Sequence, residues 1–97
     1  MVEHMVWIKF NEGITPERIE EHLSGLQSLA EIVPGIVALK VGENFTDRAK
    51  GFTHGLSVTL ESKSALEIYA THPEHVAVAK PLKEDAELMA MDFEFED

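Results

Sequence analysis

Two hydrophobic periodicities succeed one another along this chain, and their order most restricts the folds open to it. From Val2 to Phe10 the residues alternate, with Val2, His4, Val6, Ile8 and Phe10 on one face and Glu3, Met5, Trp7 and Lys9 on the other. A period of two marks a strand with one strongly buried face. Asn11-Glu12-Gly13 turns the chain, and Thr15-Pro16 offers an N-cap followed by proline at the first helical position, where a missing N–H costs nothing. Ile19, Leu23, Leu26, Leu29, Ala30 and Val33 follow at helical spacing, which predicts an amphipathic helix over residues 16–32, ended by Pro34-Gly35. A second strand is expected from Ile36 to Val41, then a polar loop from Glu43 to Gly51, then a third strand from Thr53 to Leu60. Ser64-Ala65-Leu66-Glu67 has the form of a capping box and opens a short helix through Tyr69. His72-Pro73 breaks it, because a residue before proline avoids helical geometry. A further helical segment runs to about Lys80, where Pro81 is expected to stop it. Leu88 to Phe95 reads as the last strand, with Met89, Met91, Phe93 and Phe95 on its apolar face.

The order is β-α-β-β-α-β, a ferredoxin-like α+β plan with an antiparallel sheet and helices on one face. No repeat, linker or low-complexity tract interrupts residues 1–97, so a single domain is expected. The sheet face carrying Val6, Ile8, Leu39, Leu56, Val58, Met89, Met91 and Phe93 is expected to lie under the helices. The opposite face carries Met5, Trp7, Ile36, Ala38, Leu88 and Ala90, mixed with Lys40, Thr53, Ser57 and Thr59. Trp7 beside several aliphatics is out of place in water, yet this face is too polar for an internal core. It suits a two-fold interface using Met5 and Trp7, in which two sheets pack together. A single surface tryptophan is the plainer alternative.

Charge and composition exclude several classes of function. Eighteen acids against eight bases give a net charge of −10, with no lysine or arginine cluster, so nucleic acid and anionic membranes are not expected partners. The acids gather toward the end at Glu84, Asp85, Glu87, Asp92, Glu94, Glu96 and Asp97, and read as a solvated face. No apolar run is long enough for a membrane span, and the N-terminus lacks the basic start of a secretion signal, which points to the cytoplasm. The absence of cysteine removes disulfides, thiolate catalysis and cysteine-based metal sites.

Five histidines remain as candidates for chemistry. His22, between Ile19 and Leu26, reads as an edge or surface residue. His4 and His54 fall on apolar strand faces, where a histidine is commonly a satisfied core residue. Tyr69-Ala70-Thr71-His72-Pro73-Glu74-His75 is denser, placing a phenol and two imidazoles around a proline break. Tyr69 and His75 could share a cavity under the helices, the imidazole as general base and the phenol as donor to a developing oxyanion. Equally, His72-Pro73 could cap a helix and Tyr69 be core. Zinc on His72 and His75, completed by His4 or His54, is disfavoured: Pro73 turns His72 away, and the two strand histidines lie toward opposite ends of the sheet.

Several phrases together resemble the stress-responsive dimeric α/β-barrel (Dabb) family. They are Val2-Glu3-His4-Met5-Val6, Ile32-Val33-Pro34-Gly35-Ile36, Thr53-His54, and Tyr69-x-x-His72-Pro73-x-His75-Val76. The resemblance covers nearly the whole chain in order. It implies a ferredoxin-like protomer and a homodimer whose two sheets form a barrel. It also implies a small-molecule pocket between sheet and helices, of unidentified apolar ligand. Among family members is a plant polyketide cyclase acting by intramolecular aldol condensation. The resemblance carries its catalytic pair onto His75 and Tyr69, and further pocket histidines onto His4 and His54. In that mechanism His75 removes a proton next to a carbonyl and Tyr69 stabilises the enolate-like charge. The implied pocket wall falls on Val6, Ile8, Leu23, Leu26, Val76 and Val78. Leu23 and Leu26 replace aromatic residues of the cyclase pocket, and Ala77-Val78-Ala79 stands where it has a glycine-flanked phenylalanine, so the pocket shape differs. Some members hold a magnesium-type cation on main-chain carbonyls, which would fall near Ala30, Val33 and Ile36; no other cofactor is implied. Three classes of function follow: a ligand-binding protein, a cyclase or lyase acting on a small carbonyl compound, and a non-catalytic structural stress protein.

Overall fold

The structure, a computed structural model, describes residues 1–96. Strand β1 (Val2–Phe10) is followed by helix α1 (Pro16–Ile32), strands β2 (Ile36–Glu43) and β3 (His54–Leu60), helices α2 (Lys63–Thr71) and α3 (Pro73–Asp85), and strand β4 (Ala86–Glu94). The strands form one antiparallel sheet in the order β2-β3-β1-β4. This is the expected ferredoxin-like α+β arrangement, with the two central strands adjacent to one another and β2 and β4 at the edges.

Local chemistry explains the boundaries. The Thr15 hydroxyl accepts the Arg18 N–H at 3.1 Å and Pro16 opens α1, which ends where the extended Val33 gives its N–H to the Leu29 carbonyl at 3.0 Å. Gly35 follows at φ +87°, a left-handed backbone that glycine adopts without penalty. The N-cap of α2 is Ser62, whose hydroxyl accepts the Ala65 N–H at 3.1 Å, two residues before the capping box expected at Ser64. His72 caps α3: its Nδ1 accepts the Glu74 N–H at 3.1 Å, and Pro73 takes the first helical position. Pro81 does not end α3, which continues to Asp85. Proline removes one backbone donor from the helix but does not compel the chain to leave it.

The core lies between the sheet and the helices. Val2, Val6, Ile8, Leu39, Leu56, Val58 and Leu60 of the sheet pack against Leu26, Leu29, Ala65, Tyr69 and Leu82 of the helices. Register corrects the expected faces at two places. Leu88 and Ala90 stand opposite Ile8 and Val6 on the helix side, whereas Met89, Met91 and Phe93 stand beside Trp7, Met5 and Glu3 on the outer side. A bulge between Ile36 and Ala38 puts Ile36 opposite Leu60 on the core side, while Ala38 and Lys40 stay outside. The outer face therefore carries more apolar area than expected, with Trp7 40%, Met89 48%, Phe93 44% and Met91 65% exposed. Glu3 on this face accepts hydrogen bonds from the Ser57 hydroxyl and, at 2.7 Å, the Thr59 hydroxyl.

His22 is also corrected: it is buried at 5% exposure, not a surface residue. Its Nε2 donates to Asp85 Oδ2 at 2.7 Å, and Arg18 Nε donates to the same oxygen at 2.8 Å. The Phe10 ring stacks on His22 at 5.7 Å. Asp85 thus pins α1 to the end of α3, and these two bonds hold its carboxyl below the usual carboxylate range. No helix of the described residues is long and apolar enough to cross a membrane.

Candidate functional site

The break at His72 assembles the candidate site. Its extended backbone (φ −62°, ψ 131°) separates the last turn of α2 from the first turn of α3, so Tyr69 and His75 come from different helices and face one another. Their ring centroids are 4.3 Å apart with planes at 40°. His4 from β1 also meets the Tyr69 ring, edge-on at 5.5 Å. His4 Nδ1 donates to Asp92 Oδ1 of β4, the residue directly opposite it in the sheet. In the sequence Asp92 is one of the acids of the C-terminal cluster; only the strand register reveals it as a member of this row. The result is a line of side chains, Asp92–His4–Tyr69–His75, drawn from β4, β1, α2 and α3.

Electrostatics divides the row into a neutral donor and a neutral acceptor. Tyr69 is 1% exposed, and its hydroxyl, fully buried, has no hydrogen-bond partner among the described residues. Burial raises its pKa to about 12, so the phenol keeps its proton. His75 gives its Nδ1–H to the Ala70 carbonyl at 3.2 Å, which fixes the tautomer that leaves a lone pair on Nε2. Its pKa is lowered, chiefly by burial; the Ala70 bond opposes this, and weaker effects of His4, Lys83 and His72 add to the lowering. An imidazole held neutral beside a protonated phenol is suited to accept one proton while donating another hydrogen bond.

His75 lines an open cavity of about 450 Å³ together with Ala70, Val76, Ala79, Lys80, Lys83 and Glu84. These residues all come from α2 and α3, so the cavity lies on the helices and not between sheet and helices; Val76, one of the residues expected to line a pocket, is half exposed in it. Val6, Ile8 and Leu26 are sealed in the core instead, and Val78 packs against it, its methyls facing Gly25 of α1. Leu23 is partly buried on α1. His54 is not brought to the row: it stands opposite Ile8, about 13 Å along the sheet from His4 at the usual rise per residue. There it meets Phe10 edge-on at 5.2 Å and lies within 2.8 Å of the Thr53 hydroxyl; burial lowers its pKa. A second cavity of about 500 Å³ opens on the outer sheet face, between Met5, Trp7, Phe45 and Phe52. That face is the expected interface, so the space beside His75 is the better candidate for chemistry.

Among the described residues, no three His, Asp or Glu side chains converge as a metal site. Ala30, Val33 and Ile36 flank the corner between α1 and β2. The last carbonyls of a helix lack intrahelical partners and carry its negative dipole end, and such oxygens are the type a hard cation takes.

A ferredoxin-like protomer with an unpartnered apolar sheet face and an imidazole–phenol pair at a helix break defines a recognisable class of protein. The Stress responsive A/B Barrel Domain (Dabb) profile matches residues 2–95, and the chain belongs to that family. The chain is 34% identical over 80 residues to the stress-response A/B barrel domain-containing protein HS1 of Arabidopsis thaliana, covering 80% of this chain and 73% of HS1. It is 34% identical over 77 residues to olivetolic acid cyclase of Cannabis sativa, covering 77% of this chain and 76% of the cyclase. A solved dimeric ferredoxin-like protein of unknown function from Jannaschia sp. superposes with a TM-score of 0.85 at 26% identity, covering 97% of this chain and 98% of that one. Dimers are thus found among its structural relatives.

Proposed function

We propose that the chain forms a homodimer through its outer sheet face, making an α/β barrel, and that each protomer binds a small carbonyl compound at the His75–Tyr69 pair. The observation that carries this reading is the Tyr69 hydroxyl, buried without a partner among the described residues, on a ring that packs against His75; His75 lines the cavity, and Tyr69 lies behind it rather than in its lining. An orphaned buried hydroxyl is costly, and a ligand oxygen would satisfy it. In the chemistry this pair supports, His75 Nε2 takes a proton from the carbon next to the carbonyl. The electron pair moves onto the carbonyl oxygen, which Tyr69 stabilises by donating its hydroxyl hydrogen. Proton abstraction of this kind is the first half of an aldol condensation, in keeping with the similarity to olivetolic acid cyclase. His4, oriented by Asp92, packs on the Tyr69 ring and positions it.

The interface reading rests on the stripe of Met5, Trp7, Met89, Met91 and Phe93, an apolar surface of the kind that partners cover. The full burial of Tyr69 favours the alternative of a purely structural role, and one experiment separates the two. Histidine NMR titration is run with and without small apolar ketones. A His75 resonance that moves on ligand addition, with the response lost in Tyr69→Phe, supports the pocket. A His75 that never responds to any ligand assigns the pair to structure.

A further inference from the structure

The cavity beside His75 has a charge that the rest of the molecule does not lead one to expect. The chain holds eighteen acids and eight bases, yet two of those bases, Lys80 and Lys83, line this one cavity, with Glu84 the single acid among its lining residues. Neither lysine takes part in an ion pair among the described residues, whereas Arg18 and Lys63 each do. Both are exposed, and both stand on the turns of α3 that follow His75, with the small apolar surface of Ala70, Val76 and Ala79 between. The charge of Lys83 is felt at His75, where it helps keep the imidazole neutral. The cavity opens on the helical side of the protomer, away from the outer sheet face, so a dimer formed through that face leaves it accessible.

We infer that the ligand of this cavity is an anion, a medium-chain oxo-carboxylate whose carboxylate is held by Lys80 and Lys83 while its carbonyl reaches His75 and its chain lies on Ala70, Val76 and Ala79. The inference rests on the assignment of His75 and Tyr69 to a carbonyl group and adds the opposite end of the molecule. Lys80 and Lys83 follow His75 by about 7.5 and 12 Å along the helix axis, and their side chains lean back toward its N-terminus. That distance suits a spacer of roughly five to eight bonds at about 1.5 Å each. Glu84 opposes a second carboxylate at the far end, which favours a monoanion over a dianion.

The test uses three eight-carbon probes on the full chain: a methyl ketone, the saturated acid, and the oxo acid that carries both groups at its two ends. Binding is followed by the His75 ring resonances in wild type and in the Lys80→Gln/Lys83→Gln double variant, both positions being exposed and remote from the core. The oxo acid is expected to bind about three- to tenfold more tightly than the ketone, the range that exposed charge pairs contribute. The double variant is expected to abolish that advantage, the oxo acid then binding no more tightly than the ketone does in the same variant. An oxo acid no tighter than the ketone, or an advantage that survives in the double variant, overturns the anionic ligand but leaves the carbonyl site standing. If no probe moves His75, the carbonyl site falls and the anionic ligand falls with it.

Discussion

Tyr69→Phe should make the unliganded protein more stable while impairing its response to ligand. The ring keeps its contacts with His75 at 4.3 Å and His4 at 5.5 Å, and only the oxygen is lost. That oxygen is buried and bonded to nothing, so its removal recovers the desolvation cost of an unsatisfied hydroxyl, about 1–3 kcal/mol. The small void left behind forfeits some packing, and a net gain of about 1 kcal/mol is expected. For a domain of this size that corresponds to a rise in Tm of roughly 4–8 °C. Urea unfolding is the appropriate assay, at one fixed protein concentration because the stability of a dimer depends on it. The midpoint should rise with an unchanged slope. A loss of about 1 kcal/mol or more would refute the reasoning, since it would mean that the hydroxyl has a buried partner and is satisfied without a ligand. A gain in stability accompanied by a lost ligand response is what a group kept for binding rather than for folding produces.

Other perturbations test the remaining parts. His75 and His54 both have pKa values lowered mainly by burial from an ordinary 6.5, so their contribution to stability is complete above that pH and declines as the pH falls toward the folded-state values; His75→Gln should flatten this decline in thermal melts from pH 8 to about pH 5. Met91→Lys should leave the protomer fold within about 0.5 kcal/mol, since Met91 is 65% exposed, yet shift the proposed dimer toward monomer in sedimentation velocity; a dimer unchanged by the substitution would place the interface elsewhere. Gly35→Ala combines a φ of +87° with a Cβ only 2.8 Å from that of Ala65, and should cost about 1–3 kcal/mol in chemical denaturation.

The sequence made β1 and α1 legible to the residue because each carries a local signal: strict alternation in one, Thr15-Pro16 and a helical stripe in the other. On β4 the two faces are the reverse of those expected, because both are apolar. Alternation separates Leu88 and Ala90 from Met89, Met91 and Phe93 but does not say which set meets the helices. Side-chain size favours the larger set for the core, whereas pairing with β1 puts it on the outer face. Ile36 was displaced by a bulge, which leaves no mark on periodicity. His22 sat on the inner stripe of α1, but its polar character argued for the surface. Its partner Asp85 lies 63 residues away, beyond any local window, and that bond is what makes burial tolerable.

The same distinction runs through the candidate site and bears on how it could work. Tyr69, His72 and His75 are visible together in the sequence because one proline break brings them together locally, and His72 caps α3. Asp92 was hidden because only the sheet register joins it to His4. What neither spacing nor register could show is the opposing effect of burial on the two central groups. Burial raises the phenol and lowers the imidazole, so both are neutral near pH 7 and resist acquiring charge. A neutral carbonyl group can therefore approach without meeting a buried charge. In the proposed reaction charge would develop only when a proton moves from carbon to Nε2, leaving an enolate next to an imidazolium for the Tyr69 hydroxyl to stabilise. A pair arranged in this way has little to offer the resting ligand beyond one hydrogen bond and more to offer the charge-separated state, which is the differential on which proton-transfer catalysis depends.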